Sequence, residues 1–424
     1  MRDQADPASR AGGRGWLTEY APYALTIGAI WLGWQILLQP VIQRAPPELA
    51  VRVAPGSPLV LQRAAEAEFV AGEKDDDARR YDNAASLARD ALALAPFNVR
   101  ALRVVGLTEA RAGREPIADE ILTLAGNWSL RDDPAHAWLV EYRLRRGDYA
   151  SSFAHADTLA RRREDIRPQI FRLFTLAAAT DTARALPEVA RLLDARPPWR
   201  QSYFDSLYVS GEGLQVAANL AVLLQRGKAP LSNEELTQFY QHLLDKGQLE
   251  AARTVRAHLN RPPPAAVSNG GFDDPEAPRP FQWTLAQEAG AVVEIVPDDI
   301  RPSDPALRID YDGYSIVQFA DQLLFLAPGR YRLTAEARAE SGDPSGRIFW
   351  SMTCSPGDLN ILSVPAVAAS AAVWTPISAQ FTVPAGCPGQ QLKLVGRGED
   401  RRKAAIAWID RVVIAPVGGT GAGG

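Results

Sequence analysis

The sequence predicts three regions of different structural class: one membrane-spanning helix, an all-α solenoid and an all-β sandwich. Three observations carry this prediction. An uncharged run covers residues 20–43, helical segments repeat every 34 residues over 59–262, and short alternating runs fill 268–416. With 424 residues, 46% of them hydrophobic, the chain is long enough for two or three separate cores. The net charge of −4 provides no basic field, so no nucleic-acid partner is expected.

Residues 20–43 are predicted to form a transmembrane helix. At 1.5 Å per residue, the 22 mainly apolar residues 21–42 match the thickness of a bilayer core of about 30 Å. Tyr20 and Tyr23 lie where interfacial aromatic residues are usually found. The run is long for the core of a signal peptide, and it lacks the polar face of a buried soluble helix. The sequence therefore favours a single-span anchor.

The span sets the expected location of the other segments. Residues 1–19 are predicted to be a cytoplasmic tail, and the bulk of the chain is predicted to be periplasmic, on a bacterial inner membrane. Basic residues are nearly balanced on the two sides of the span, so charge alone does not decide the orientation. Residues 44–58 contain four prolines and are predicted to be a stiff spacer. Residues 417–424 are predicted to be a disordered Gly-rich tail.

The helical middle of the chain repeats with a period of 34 residues. Gly113 and Gly147 are 34 residues apart, and Pro96 and Pro198 are separated by three periods. The same register places Gly106 where two helices cross closely. Small residues at helix crossings, glycine at the turn and proline after the second helix resemble the tetratricopeptide repeat family.

This resemblance covers about residues 60–262, although 199–232 fit only through one helix at 212–226. It implies a solenoid whose concave surface binds a protein partner. The alternative is an array that only spaces the C-terminal domain from the membrane.

Beyond residue 268 the pattern changes to short runs with a period of two, bounded by Pro, Gly and Asp. Such runs without intervening helices predict an antiparallel sandwich. The predicted strands are 281–286, 291–296, 306–310, 314–319, 322–326, 330–339, 346–353, 376–382, 390–396 and 404–414.

Three segments of this domain resemble carbohydrate-binding modules of the jelly-roll, galactose-binding-like class. They are residues 269–274 (NGGFDD), 326–333 (LAPGRYRL) and 407–414 (AWIDRVVI). The resemblance spans 268–416 and implies a sandwich with a glycan as ligand.

Aromatic side chains are the expected platforms for a glycan, because the apolar faces of pyranose rings stack on them. Strand alternation places about half of the aromatic residues in the core, and Trp283 and Trp408 are expected there. The candidates for the binding face are Tyr311, Tyr314 and Trp350, with Asp310, Asp312 and Gln318 as polar partners.

The two cysteines of the chain, Cys354 and Cys387, both lie in this domain and are predicted to form a disulfide. The alternative is two free thiols in a cytosolic protein.

Asp273, Asp274 and Asp410 are candidate ligands of a structural Ca²⁺, because calcium takes hard oxygen ligands. Modules of this type often carry such an ion. The alternative is that these aspartates are turn and capping residues. No other cofactor is expected.

The sequence contains no phosphate-binding loop and no motif of a metalloprotease or serine hydrolase. We therefore expect a non-enzymatic adaptor that binds a protein through its repeats and a glycan through its sandwich, in the assembly or export of a cell-envelope polysaccharide. One alternative is a purely structural protein–protein scaffold. Another is a glycan hydrolase that uses Asp310 with Asp312.

Overall fold

The structure, a computed structural model, describes residues 15–34, 36, 39–259, 266–274, 279–368 and 372–417. The chain divides into two compact units, residues 1–166 and 167–424. Residues 1–14 of the predicted tail and residues 418–424 of the Gly-rich tail lie outside the described part.

The described elements of the first unit are helical. They are α1 (Gly15–Gly33), α2 (Gln39–Arg44), α3 (Pro47–Val53), α4 (Pro58–Asp75), α5 (Ala78–Leu94), α6 (Val99–Arg111), α7 (Glu115–Trp128), α8 (Asp133–Arg145), α9 (Tyr149–Arg162) and a 3₁₀ turn at Glu164–Ile166. Helix α3 lies within the segment predicted to be a spacer.

The predicted transmembrane helix and the inner-membrane location that depends on it are wrong. Among the described helices, none combines the length and the apolar character that crossing a membrane requires. The described helical residues of this run belong to α1, which ends at Gly33, to π-helical positions 34 and 36, and to α2, which begins at Gln39. Helix α1 also contains Glu19 and Pro22.

The helices from α4 to α9 pack as consecutive pairs. Four of these helices, α5, α6, α8 and α9, begin at an N-cap residue whose side chain accepts a backbone hydrogen bond from the first turn. These N-cap residues are, in the same order, Asp77, Asn98, Asp132 and Asp148. Gly113 and Gly147 follow α6 and α8 with φ angles of 76° and 70°. Both lie in the left-handed region that glycine adopts without strain. Each glycine of the 34-residue spacing therefore stands at a turn within a helix pair.

Gly106→Leu is expected to lower the free energy of unfolding by about 1–3 kcal/mol, because it overpacks a helix crossing. A Cβ atom at Gly106 would lie 2.6 Å from Cγ of Leu122 and 3.2 Å from a methyl group of Ile121, both on α7. Chemical denaturation of the full chain measures the change. Gly56→Ala is the control, because a Cβ atom there meets nothing within 4 Å. Equal stability of the two variants would contradict the predicted register at this crossing.

The described part of the second unit begins with six helices: α10 (Arg167–Thr180), α11 (Ala185–Asp194), α12 (Arg200–Leu207), α13 (Gly211–Leu224), α14 (Asn233–Asp245) and α15 (Leu249–Leu259). Helix α13 corresponds to the predicted helix at 212–226, whereas α12 was not predicted. Around α12 the core is aromatic rather than alanine-rich, because Trp199, Tyr203 and Phe204 are almost completely buried.

Ten strands follow within residues 279–368 and 372–417: β1 (Thr284–Leu285), β2 (Ala291–Pro297), β3 (Pro305–Tyr311), β4 (Val317–Leu324), β5 (Gly329–Ser341), β6 (Ile348–Ser355), β7 (Asn360–Pro365), β8 (Thr375–Val383), β9 (Gly389–Gly396) and β10 (Ala405–Pro416). They form two antiparallel five-stranded sheets. Sheet A has the order β1-β4-β9-β6-β7, and sheet B has the order β2-β3-β10-β5-β8.

One hydrophobic core fills the space between the sheets, and it includes Trp283, Phe319, Trp350 and Ile409. The predicted disulfide is confirmed: Cys354 and Cys387 are bonded, with their Cα atoms 5.2 Å apart. The bond links the end of β6 to the turn before β9. Because inward and outward residues alternate along each strand, the two sheets leave two outer faces on which a site could form.

Candidate functional site

The outer face of sheet A carries a row of polar residues that crosses all five strands. Strand register aligns them as neighbours in the order Thr284, Asp321, Lys393, Ser351 and Ser363. At a strand spacing of roughly 4.8 Å the row is about 19 Å long. It combines hydroxyl groups, which donate and accept hydrogen bonds, with one anion and one cation. We call this set the polar row.

Asp321 is the electrostatic centre of the polar row. Its carboxylate accepts a hydrogen bond of 2.9 Å from Gln318 and another from Gln391. Burial raises the pKa of Asp321 above its ordinary value, although these hydrogen bonds and the charges of Lys393 and Arg279 act in the opposite direction. A partly desolvated carboxylate held by two amides is a preorganised acceptor.

An aromatic contact lies next to the polar row on the same face. Phe349 occupies β6 two residues before Ser351, and the guanidinium carbon of Arg397 lies 3.8 Å from the centroid of its ring. Arg397 also donates a hydrogen bond of 2.8 Å to the hydroxyl of Ser363. The planar guanidinium over the ring gives this end of the face a flat surface beside hydrogen-bonding groups.

The outer face of sheet B is closed by its own side chains. Asp298 is buried and accepts hydrogen bonds from Arg338 and from Nε1 of Trp374, the latter at 2.8 Å. Arg338 packs over the ring of Trp408, and Arg301 packs over the ring of Trp374. This network occupies the centre of the sheet, so the face of sheet A is the better candidate for a ligand.

Two of the predicted aromatic platforms are in the core, which corrects the expectation that they are exposed. Tyr311 is completely buried, and its hydroxyl donates a 2.5 Å hydrogen bond to the carbonyl of Ser315. Trp350 is 1% exposed. Both residues alternate inward on their strands. Tyr314 is 55% exposed and lies in the loop between β3 and β4. Trp283 is in the core, as expected, whereas Trp408 is buried on the outer face of sheet B, beneath Arg338.

The three predicted polar partners lie in three different places. Asp310 is on β3 in sheet B, where Arg308 lies 3.6 Å away. Asp312 is in the loop after β3 and accepts hydrogen bonds from the backbone of Tyr314 and Ser315, which lower its pKa. Gln318 is on the outer face of sheet A, beside Asp321. The structure therefore brings only Gln318, of these three, to the polar row.

The predicted calcium ligands belong to two segments, residues 273–274 and strand β10. Asp410 is 1% exposed and lies 3.5 Å from Nη1 of Arg301, and burial raises its pKa to about 6. Asp273 and Asp274 are exposed, and the backbone of Asp274 donates to the side chain of Asn269. Within the described ranges, no three His, Cys, Asp or Glu side chains form a group that could hold a metal ion. The calcium site stays a prediction.

Sequence reasoning missed Asp321, Gln391, Lys393 and Phe349. A usable signal was present in residues 390–396 (QQLKLVG), where Leu392 and Leu394 alternate with Gln391 and Lys393. That alternation marks one apolar and one polar face. Only the register between strands shows that the polar residues of β4, β6 and β9 form one row.

The first unit contains a groove of about 630 Å³ lined by α4, α6 and α8. Its apolar lining includes Phe69, Leu107 and Trp138, and charged residues surround it. Arg103 pairs with Glu66, and Arg111 pairs with Glu73, so opposite charges alternate along the groove. We call this surface the helical groove.

The comparisons concern the sandwich. No family model matches the chain, and no curated protein matches it. A family 4 carbohydrate-binding module is 20% identical, with a TM-score of 0.28, and the match covers 36% of this chain and 99% of that one. A module named TmCBM61, solved with β-1,4-galactotriose, is 16% identical, with a TM-score of 0.27 and coverage of 36% and 99%.

A family 16 carbohydrate-binding module is 17% identical, with a TM-score of 0.26 and coverage of 35% and 99%. At these identities the similarity concerns the fold alone, and membership of the tetratricopeptide family stays a prediction. The C-terminal part of the chain resembles the jelly-roll folds of carbohydrate-binding modules.

Proposed function

We propose that this chain is a non-enzymatic adaptor that binds a glycan on the outer face of sheet A and a protein segment in the helical groove. The observation that carries the glycan part is the polar row, which crosses all five strands of sheet A on its outer face. Its role in cell-envelope polysaccharide assembly stays a prediction from the sequence.

The chemistry of the polar row suits a neutral or weakly charged glycan. Sugar hydroxyls both donate and accept hydrogen bonds, and the row offers an acceptor at Asp321, a donor at Lys393 and hydroxyl groups at Ser351 and Ser363. The length of about 19 Å gives room for several sugar units along it. Phe349 with Arg397 adds a flat contact for the apolar face of a ring. A few placed polar groups beside an apolar surface are typical of small-molecule sites.

The same face supports binding rather than hydrolysis. Glycoside hydrolases usually use two carboxylates on opposite sides of the scissile bond. Among the strand residues described on this face, Asp321 is the only carboxylate. Asp310 and Asp312, the pair considered from the sequence, lie on sheet B and in a turn, and both are engaged by neighbouring residues of the chain.

The helical groove supports the protein-binding part of the proposal. Its apolar lining can accept hydrophobic side chains, and the surrounding carboxylates and guanidinium groups can pair with the charges of a peptide. The rival function, a scaffold that binds only proteins, uses the helical groove but leaves the polar row without a ligand.

Asp321→Ala is expected to weaken glycan binding at least tenfold without lowering the melting temperature, because burial of this carboxylate is itself unfavourable. The measurement is a glycan array with the full chain, followed by titration calorimetry on the strongest polysaccharide. Gln380→Ala is the matched control, because Gln380 is an exposed amide on sheet B. If no glycan binds the parent, or if Asp321→Ala binds as tightly as Gln380→Ala, the polar row is not a glycan site.

A further inference from the structure

A second cavity lies inside the sandwich, away from the polar row. It has a volume of about 300 Å³ and opens between β7 and β8, which are edge strands of the two sheets. Its lining is apolar and comes from both sheets, with Ser378 as the one residue that carries a side-chain hydroxyl. The principal lining residues are Leu333, Ala335, Trp350, Val364, Ile377 and Ala379.

The sequence explains why space remains there. Three of the lining residues are alanines: Ala335 on β5, Ala368 after β7 and Ala379 on β8. Alanine fills far less of the space between the sheets than the leucine and isoleucine residues found elsewhere in this core. Strands β7 and β8 are both at the edge of their sheets, so no further strand among the described residues lies beside the opening.

Trp350 carries a buried, unsatisfied polar group beside the cavity. Its indole lines the cavity, the residue is 1% exposed, and Nε1 has no hydrogen-bond partner among the described residues. A buried donor without an acceptor is unfavourable, and native structures contain few of them.

The other tryptophans of the sandwich are satisfied. Nε1 of Trp283 donates to the carbonyl of Asn269 at 2.9 Å, and Nε1 of Trp408 donates to Glu340 at 2.6 Å. Trp374 donates to Asp298. Trp350 is therefore the exception, and it is the one of these four that lines the cavity.

We infer that this cavity binds a neutral small molecule that has a hydrocarbon chain and one carbonyl oxygen. The apolar lining favours a hydrocarbon, and the absence of a charged residue among the lining residues disfavours an ion. The carbonyl accepts the hydrogen bond from Nε1 of Trp350. The volume is at the lower end of the range for ligand pockets and equals the liquid volume of about ten water molecules. A glycan is too polar for this environment, so the inference is independent of the polar row.

The test uses the full chain and two probes of matched shape, octan-2-one and octane. Indole N–H resonances are recorded on ¹⁵N-labelled protein, and the Trp350 signal is assigned by its absence in Trp350→Phe. Octan-2-one is expected to shift this resonance and to bind at least tenfold more weakly to Trp350→Phe, which keeps an aromatic ring but lacks the donor. Octane is expected to bind both proteins equally and to leave the resonance in place.

Ala379→Leu provides an independent check, because the larger side chain occupies the cavity. It is expected to abolish binding of both probes. An unchanged Trp350 resonance at saturating octan-2-one, equal affinity of the parent and Trp350→Phe for the ketone, or retention of both probes by a folded Ala379→Leu variant would each overturn the inference.

Discussion

Replacing Asp298 by alanine is expected to lower the free energy of unfolding of the C-terminal unit by about 3–5 kcal/mol. Asp298 is 1% exposed, and Arg338, which it pairs with, is 5% exposed. No other carboxylate pairs with Arg338 in the described residues, and its Nε already lacks a partner. The variant leaves a buried guanidinium without its counterion, and Trp374 loses the acceptor of its Nε1 hydrogen bond.

Urea denaturation of the full chain, followed by tryptophan fluorescence, measures this loss. The control is Asp304→Ala, because its partner Arg411 is largely exposed and also pairs with Glu336, so the expected cost is below about 1 kcal/mol. The double variant Asp298→Ala/Arg338→Met removes both charges and should regain part of the stability. A cost of Asp298→Ala no larger than that of Asp304→Ala would show that the pair is not a structural requirement.

Removal of the disulfide is expected to cost about 3–4 kcal/mol, mainly because the cross-link restricts the unfolded chain over a separation of 33 residues. Cys354 and Cys387 are buried in the core, so the double variant Cys354→Ala/Cys387→Ala avoids placing new polar groups there. The midpoint of urea denaturation gives the effect. Reduction of the parent should lower its midpoint to that of the double variant. A parent whose midpoint is the same with both thiols reduced would contradict the prediction.

Much of the secondary structure could be predicted because it depends on local patterns. The turn glycines Gly113 and Gly147 repeat at a fixed spacing, and most strands show alternation. The sequence predicts β4 as parts of two strands, 314–319 and 322–326, with Ala320 and Asp321 between them. In the structure one strand continues through a register shift between Gln318 and Ala320, where an irregularity reverses the alternation.

The candidate site was harder to predict, because it depends on which strands are neighbours. Strands β4, β9 and β6 are adjacent in sheet A but separated by dozens of residues in the chain. The prediction placed Tyr311 and Trp350 on a binding face. Aromatic residues can either fill the hydrophobic core or stack on the sugar rings of a glycan, and composition does not distinguish these two roles. Only the pairing of the sheets shows that their rings face inward.

The order of the strands also bears on aggregation. An unpaired strand edge can recruit the same strand of another molecule, and proline blocks such recruitment because it lacks an N–H group. Here β2 and β7 end in Pro297 and Pro365, β8 has Pro376 as its second residue, and β1 is only two residues long. Proline thus blocks pairing at one end of β2, β7 and β8, and β1 is too short to recruit another strand. The opening between β7 and β8 is therefore bordered by two strands that each carry such a block at one end.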